Sequence, residues 1–128
     1  MPNEEPNSYL GNQTLVELYG CPAVLINDKV LVEKLLLEVT EIIGLTVVNS
    51  TIHHFSPIGV SGVVVIKESH ISIHTWPEYN YVALDFFTYQ KYEVQEGINY
   101  LSSKLKAAEV KIKKITRGSV RTITKVNV

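Results

Sequence analysis

The chain has 128 residues, 45% of them apolar and 20% charged, and a formal net charge of -1 from 12 basic and 13 acidic side chains. This composition is ordinary for a soluble globular protein and fits one compact domain, 1–128, whose small core would gain from association with a second copy. The near-neutral charge argues against nucleic acid as a partner, the single cysteine, Cys21, excludes an internal disulfide and suits the cytoplasm, and no apolar run reaches the ~18 residues of a membrane span.

The opening MPNEEPNS is polar and acidic, lacks the basic and apolar parts of a signal peptide, and reads as a disordered lead-in. Thr14–Leu18 is expected as a first strand. Asn27 and Asp28 are helix N-cap types; after them Leu31, Leu35, Val39, Ile42 and Ile43 share one helical face, and Gly44 supplies the stop. Leu45–Phe55 is rich in β-branched residues and reads as a strand, with a turn at Pro57 and Gly59. Gly62–Lys67 reads as a buried strand, Ile71–Trp76 as another ended by Pro77, and Tyr81–Thr88 as a third with Val82, Leu84 and Phe86 on one face. Val94, Ile98, Leu101 and Leu105 form a second helical stripe. Val110–Ile115 is expected as a last core strand, and Arg117-Gly118 as the start of a tail. The basic stretch from Lys104 to Lys125 alternates with Val110, Ile112 and Ile115 and reads as a solvated sheet face. Two helices among mostly adjacent strands predict an α+β fold, a two-layer sandwich in which an antiparallel sheet is covered on one face by two helices.

The unusual segment is Ser56–Tyr89, which packs Glu68, Ser69, His70, Ser72, His74, Thr75, Trp76 and Glu78 into eleven positions beside an apolar run. Three readings compete. In the first, Glu68, His70, Ser72 and His74 share one strand parity and simply face solvent. In the second, His70 and His74 bind metal; but residues four apart on a strand lie ~13 Å apart, and neither a second cysteine nor an H-E-x-x-H arrangement is present, so no metal is expected. In the third, Ser69 is a nucleophile assisted by His74. The two have opposite parity, so the chain must bend between them or the histidine must approach from the side. No G-x-S-x-G elbow supports an ordinary hydrolase triad.

The stretches GVSGVVVI, ESHISIHTWPEY and ALDFFT, in that order and spacing, closely resemble the motifs of the short bacterial and archaeal S-adenosylmethionine decarboxylases. The resemblance runs from LGNQTLVELYGC through VVNSTIHHFSP to the final helix and strand. It implies a proenzyme that breaks its own Glu68-Ser69 bond, giving chains 1–68 and 69–128, with a pyruvoyl cofactor formed from Ser69. The Ser69 hydroxyl would attack the Glu68 carbonyl, and β-elimination and hydrolysis would follow. His74 matches the histidine of these processing steps, and Ser61 the serine that assists them. The ketone would take the substrate amine as a Schiff base and act as an electron sink. Phe55 matches an aromatic that stacks on adenine, Glu78 a carboxylate that holds the ribose hydroxyls, and Trp76 lies close enough in sequence to line the pocket or fill the core. The resemblance further implies a homodimer of processed protomers, acting on a small-molecule substrate whose product feeds spermidine synthesis.

The chain departs from the family at three places. Tyr89 stands where the family has the cysteine taken as proton donor, Gln90 replaces the following glycine, and Gly11-Asn12-Gln13 replaces a Gly-Arg-His triplet. A phenol is ordinarily a weaker acid than a thiol. These changes keep two alternatives open: a family member repurposed for arginine or ornithine, and a non-catalytic regulatory paralogue.

Overall fold

A computed structural model describes residues 8–89 and 91–128. Residues 1–7, most of the expected lead-in, and the substituted Gln90 lie outside the described residues. In chain order the elements are β1 (Tyr9–Tyr19), α1 (Ala23–Ile26), α2 (Lys29–Ile43), β2 (Val47–His54), β3 (Val60–Ile66), β4 (Ser69–Trp76), a single helical turn at Pro77–Tyr79, β5 (Tyr81–Tyr89), α3 (Gln95–Lys104) and β6 (Glu109–Ser119). The six strands form one antiparallel sheet in the order β2-β3-β4-β5-β1-β6.

The two longer helices, α2 and α3, sit where the sequence stripes put them. The Asp28 carboxylate accepts from the Leu31 N–H at 3.0 Å and caps α2, while Gly44 at φ 89° ends it. Val32, Leu35, Leu36 and Val39 of α2 and Ile98 and Leu101 of α3 are buried in the same core as Ile71 and Ile73 of β4 and Val82, Leu84 and Phe86 of β5. Gly97 permits the close approach of the two helices: a Cβ there would lie 2.7 Å from Ile43 Cδ1 and 2.9 Å from Val39 Cγ1. The two-layer α+β sandwich is therefore as expected, with α1 as an additional short turn.

Two expectations are corrected at the C-terminal end. β6 is not a core strand: Val110, Ile112 and Ile115 remain 38–39% exposed, because among the described residues this strand lies at the sheet edge and pairs with β1 alone. Arg117 and Gly118 belong to that strand rather than to a tail, and Arg117 pairs with Gly11.

Burial alternates along the central strands, so the residues of opposite parity look out from the other face of the sheet. On that open face lie Leu15, Val63, Val65, His70, His74, Trp76, Asp85 and Phe87, exposed or half-buried. β4 runs through its middle without the bend that a contact between Ser69 and His74 in one copy would require.

Candidate active site

The candidate residues fall into two groups, one at each end of β4. The first group begins at the hairpin between β3 and β4, where Ile66 pairs with Ser69 across the two-residue loop Lys67-Glu68. Ser69 has φ 133°, a backbone state that a residue with a Cβ adopts only under strain. Glu68 is buried, although the shared parity with His70 and His74 had placed it on a solvent face. Its carboxylate accepts from the Thr46 N–H at 3.0 Å, and the Tyr92 hydroxyl approaches its other oxygen at 3.5 Å. The Thr46 N–H holds the Glu68 carboxyl below the usual carboxylate range, outweighing the opposing effect of burial.

Glu68 and Ser69 line a cavity of about 320 Å³ together with Phe87, Tyr89, Gly11 and Arg117. Tyr89 thus shares a cavity with Ser69 although twenty residues separate them, because β4 and β5 are antiparallel neighbours. Arg117 is fixed at the cavity wall: its Nη1 donates to Gln13 Oε1 at 2.8 Å and its guanidinium lies 4.9 Å from the Phe87 ring centre. Gln13 donates in turn to Asp85 Oδ1 at 2.8 Å, and Asp85 Oδ2 lies 2.6 Å from His70 Nε2. Sequence reasoning missed Asp85 and Arg117 and met Gln13 only as a departure. The charge of Asp85 inside an otherwise apolar strand was the one available signal.

The second group lies near the far end of β4. Ser61 and His74 are direct partners in the β3–β4 register, and Ser61 Oγ lies 2.8 Å from His74 Nδ1. His53, opposite Ser61 on β2, meets the Phe55 ring edge-on at 4.6 Å. Phe55 and Glu78 are exposed, Glu78 in the turn after Pro77. Trp76 is 41% exposed and so is not a core residue. Its ring lies 5.4 Å from that of Tyr81, which stacks on Tyr19 at 5.3 Å. The Tyr81 hydroxyl donates to Glu17, and burial first, then that bond, pushes the phenol up to about 12.

Within one copy the two groups do not meet. His74 follows Ser69 by five positions on a straight strand, about 16 Å at roughly 3.3 Å per residue. Among the described residues no set of three His, Cys, Asp or Glu side chains converges as a metal site, and no helix is long and apolar enough to cross a membrane.

A sequence profile described as S-adenosylmethionine decarboxylase matches residues 12–118. The S-adenosylmethionine decarboxylase proenzyme of Acetivibrio thermocellus is 44% identical over 85% of this chain and 89% of its own length. That of Acidithiobacillus ferrooxidans is 40% identical over 87% and 84%. The crystal structure of the adenosylmethionine decarboxylase from Aquifex aeolicus superposes with a TM-score of 0.80 at 30% identity, covering 92% of this chain and 98% of that one.

Proposed function

This chain belongs to the S-adenosylmethionine decarboxylase family, and on that footing we propose that it is a proenzyme that cuts itself at Glu68-Ser69 and then decarboxylates S-adenosylmethionine. The observation that carries this reading is the placement of Ser69: a strained backbone at the start of β4, on the wall of a cavity shared with Tyr89.

The self-cleavage needs no oxidant. Ser69 Oγ adds to the Glu68 carbonyl carbon, the C–N bond breaks, and the hydroxyl proton ends on the freed amine, leaving an ester. Removal of the Ser69 α-proton breaks the Cβ–Oγ bond and releases the Glu68 carboxylate. The dehydroalanine left on residue 69 tautomerises to an imine, which water hydrolyses to ketone and ammonia. His74 is assigned to the α-proton, and Ser61, hydrogen-bonded to it, to the developing oxyanion.

The site fits the pyruvoyl group that this sequence of steps leaves, because residue 69 opens on a cavity rather than into the core. When present, that group supplies an electrophilic ketone and an electron sink for decarboxylation. The chain's own residues do the rest. Phe55 stacks on adenine, Glu78 accepts from the ribose hydroxyls, Trp76 flanks the pocket, and Tyr89 carries a proton to the product carbon. The product would be an aminopropyl donor for spermidine synthesis, made in the cytoplasm, where the lone thiol of Cys21 stays reduced.

A homodimer completes the site. Ser69 and Tyr89 stand at one end of β4 and Ser61, His74, Phe55 and Glu78 towards the other, about 16 Å away along a straight strand. The uncovered sheet face between them carries Leu15, Val63, Val65, Trp76 and Phe87, an apolar surface suited to a second copy. Two copies packed face to face and antiparallel bring the His74 end of each to the Ser69 end of the other. The comparisons give no support to arginine or ornithine as substrate. Intact-mass spectrometry tests the reading: two fragments are expected, the second lacking a free amine, while Ser69→Ala stays whole. A single full-length wild-type species after long incubation at neutral pH would overturn it.

A further inference from the structure

We propose that the Glu68 side chain is a positioning residue for self-cleavage, clasping the backbone of Thr46 so that the Glu68-Ser69 peptide is held in its strained form. The inference rests on the self-cleaving reading above.

Two-residue hairpin loops ordinarily use Gly, which takes positive φ without steric cost, or Asn and Asp, which tolerate it better than other residues. This loop is Lys67-Glu68, and the positive φ falls on Ser69, which has no such tolerance. Left to itself, such a turn would relax. Two bonds to one residue outside the hairpin oppose that relaxation. The Lys67 N–H donates to the Thr46 carbonyl at 2.9 Å, and the Thr46 N–H donates to Glu68 Oε1 at 3.0 Å. Thr46 lies between α2 and β2, next to the buried Leu45, so the clasp ties the turn to the helix layer. Glu68 itself is only 7% exposed, and the Tyr92 hydroxyl, reaching from beyond β5, is 3.5 Å from its second oxygen. A carboxylate that solvent would otherwise take is thus held inside by donors from two separate segments. Its depressed pKa reports the same bond.

The reach of the side chain is what the clasp requires, more than its charge. Fixing it sets where the Glu68 carbonyl stands relative to Ser69 Oγ, and attack on that carbonyl is the first covalent step. Strain stored at the reacting peptide is relieved as the C–N bond breaks, so it lowers the barrier to that step.

Three substitutions separate the possibilities, with the self-cleavage rate followed by intact mass. Glu68→Gln keeps the oxygen at the same reach and should cleave at close to the wild-type rate. Glu68→Asp keeps the charge but is one methylene too short, and Glu68→Ala keeps neither; both should slow cleavage by roughly ten-fold or more. Hydroxylamine splits esters faster than amides. It should release no extra fragment from the slow variants, because the lost step precedes the ester. Thermal unfolding in a Ser69→Ala background checks that each variant folds, and Glu68→Asp carries the test should Glu68→Ala not. If Glu68→Asp cleaves as fast as the wild type, or Glu68→Gln is as slow as Glu68→Ala, the clasp is overturned. An uncleaved wild type would instead sink the reading on which it rests.

Discussion

At its first residue β4 is strained and opens on a cavity; near its last residues the same strand lies in a regular ladder whose side chains are bonded or stacked on one another. The Ser69 end holds the bond proposed to break, and the His74 end holds a paired serine and histidine five strand positions away from it. The contrast teaches a division of labour. On the proposed roles, the group that reacts is set in an unfavourable conformation, while the group that only moves a proton is held where ordinary strand pairing keeps it in register. In the proposed homodimer each end completes the other, through two sheets packed antiparallel.

The sharpest way to break this comparison is complementation. His74→Ala alone should remain uncut or stall at the ester, and Ser69→Ala alone cannot start. Co-expressed, the His74→Ala chain should be cut by the partner's histidine, while the Ser69→Ala chain stays whole. Mass spectrometry reads the two chains separately. No cleavage of the His74→Ala chain in the mixed dimer would mean that each copy works on itself, and the two-copy site would be wrong.

A smaller loss is expected from Tyr89→Phe, which keeps the ring and removes the hydroxyl at the Ser69 end. If the phenol delivers the proton, decarboxylation should slow by roughly 10²-fold or more, with self-cleavage spared. An unchanged rate, product and enzyme lifetime would remove Tyr89 from the mechanism.

The fold was largely legible because its signals are local. Asp28 and Gly44 delimit α2, and alternation in Tyr81–Thr88 marks β5. Strand position was not legible, so β6 was expected in the core: Val110, Ile112 and Ile115 have the composition of a buried strand, and only the sheet order puts them at an edge. At the candidate site, the ESH motif points to Ser69 and the family pattern to His74, but their separation depends on a strand staying straight for its full length. The Arg117–Gln13–Asp85–His70 chain spans four strands, and no short window of sequence contains it.

Glu78 sharpens the comparison at the other end. In its proposed role as ribose acceptor it would act in substrate binding and not in self-cleavage. Glu78→Gln should lower kcat/KM for S-adenosylmethionine by roughly ten-fold, as expected when a bonded polar partner is lost, at ~1–3 kcal/mol. Cleavage should proceed as in the wild type. Unchanged kcat/KM would take the nucleoside-recognition role away from this residue.

The least effect is expected from Tyr81→Phe, which probes how firmly the His74 end is built. The Tyr81 hydroxyl donates to Glu17, and Tyr19, whose own hydroxyl is 3.5 Å from that carboxylate, can replace the bond only weakly. Removing the donor should cost ~1 kcal/mol, a fall in Tm of roughly 3–5 °C for a domain of this size. The measurement belongs in the uncut Ser69→Ala background at one protein concentration, since the proposed dimer would shift Tm by mass action. The pH dependence gives the more specific signature. The folded phenol titrates at about 12, above the ordinary value of 10, so the folded state keeps this proton after the unfolded chain would lose it. The stabilisation is therefore complete below about pH 10 and declines as pH rises through the folded value. Tyr81→Phe lacks that group, and its stability should fall less steeply between about pH 10 and 12 than that of the parent. Parallel declines would show that the Tyr81–Glu17 bond does not secure this end of the sheet, and the contrast between a strained end and a firmly bonded one would then rest on the Ser61–His74 pair and the stacked rings.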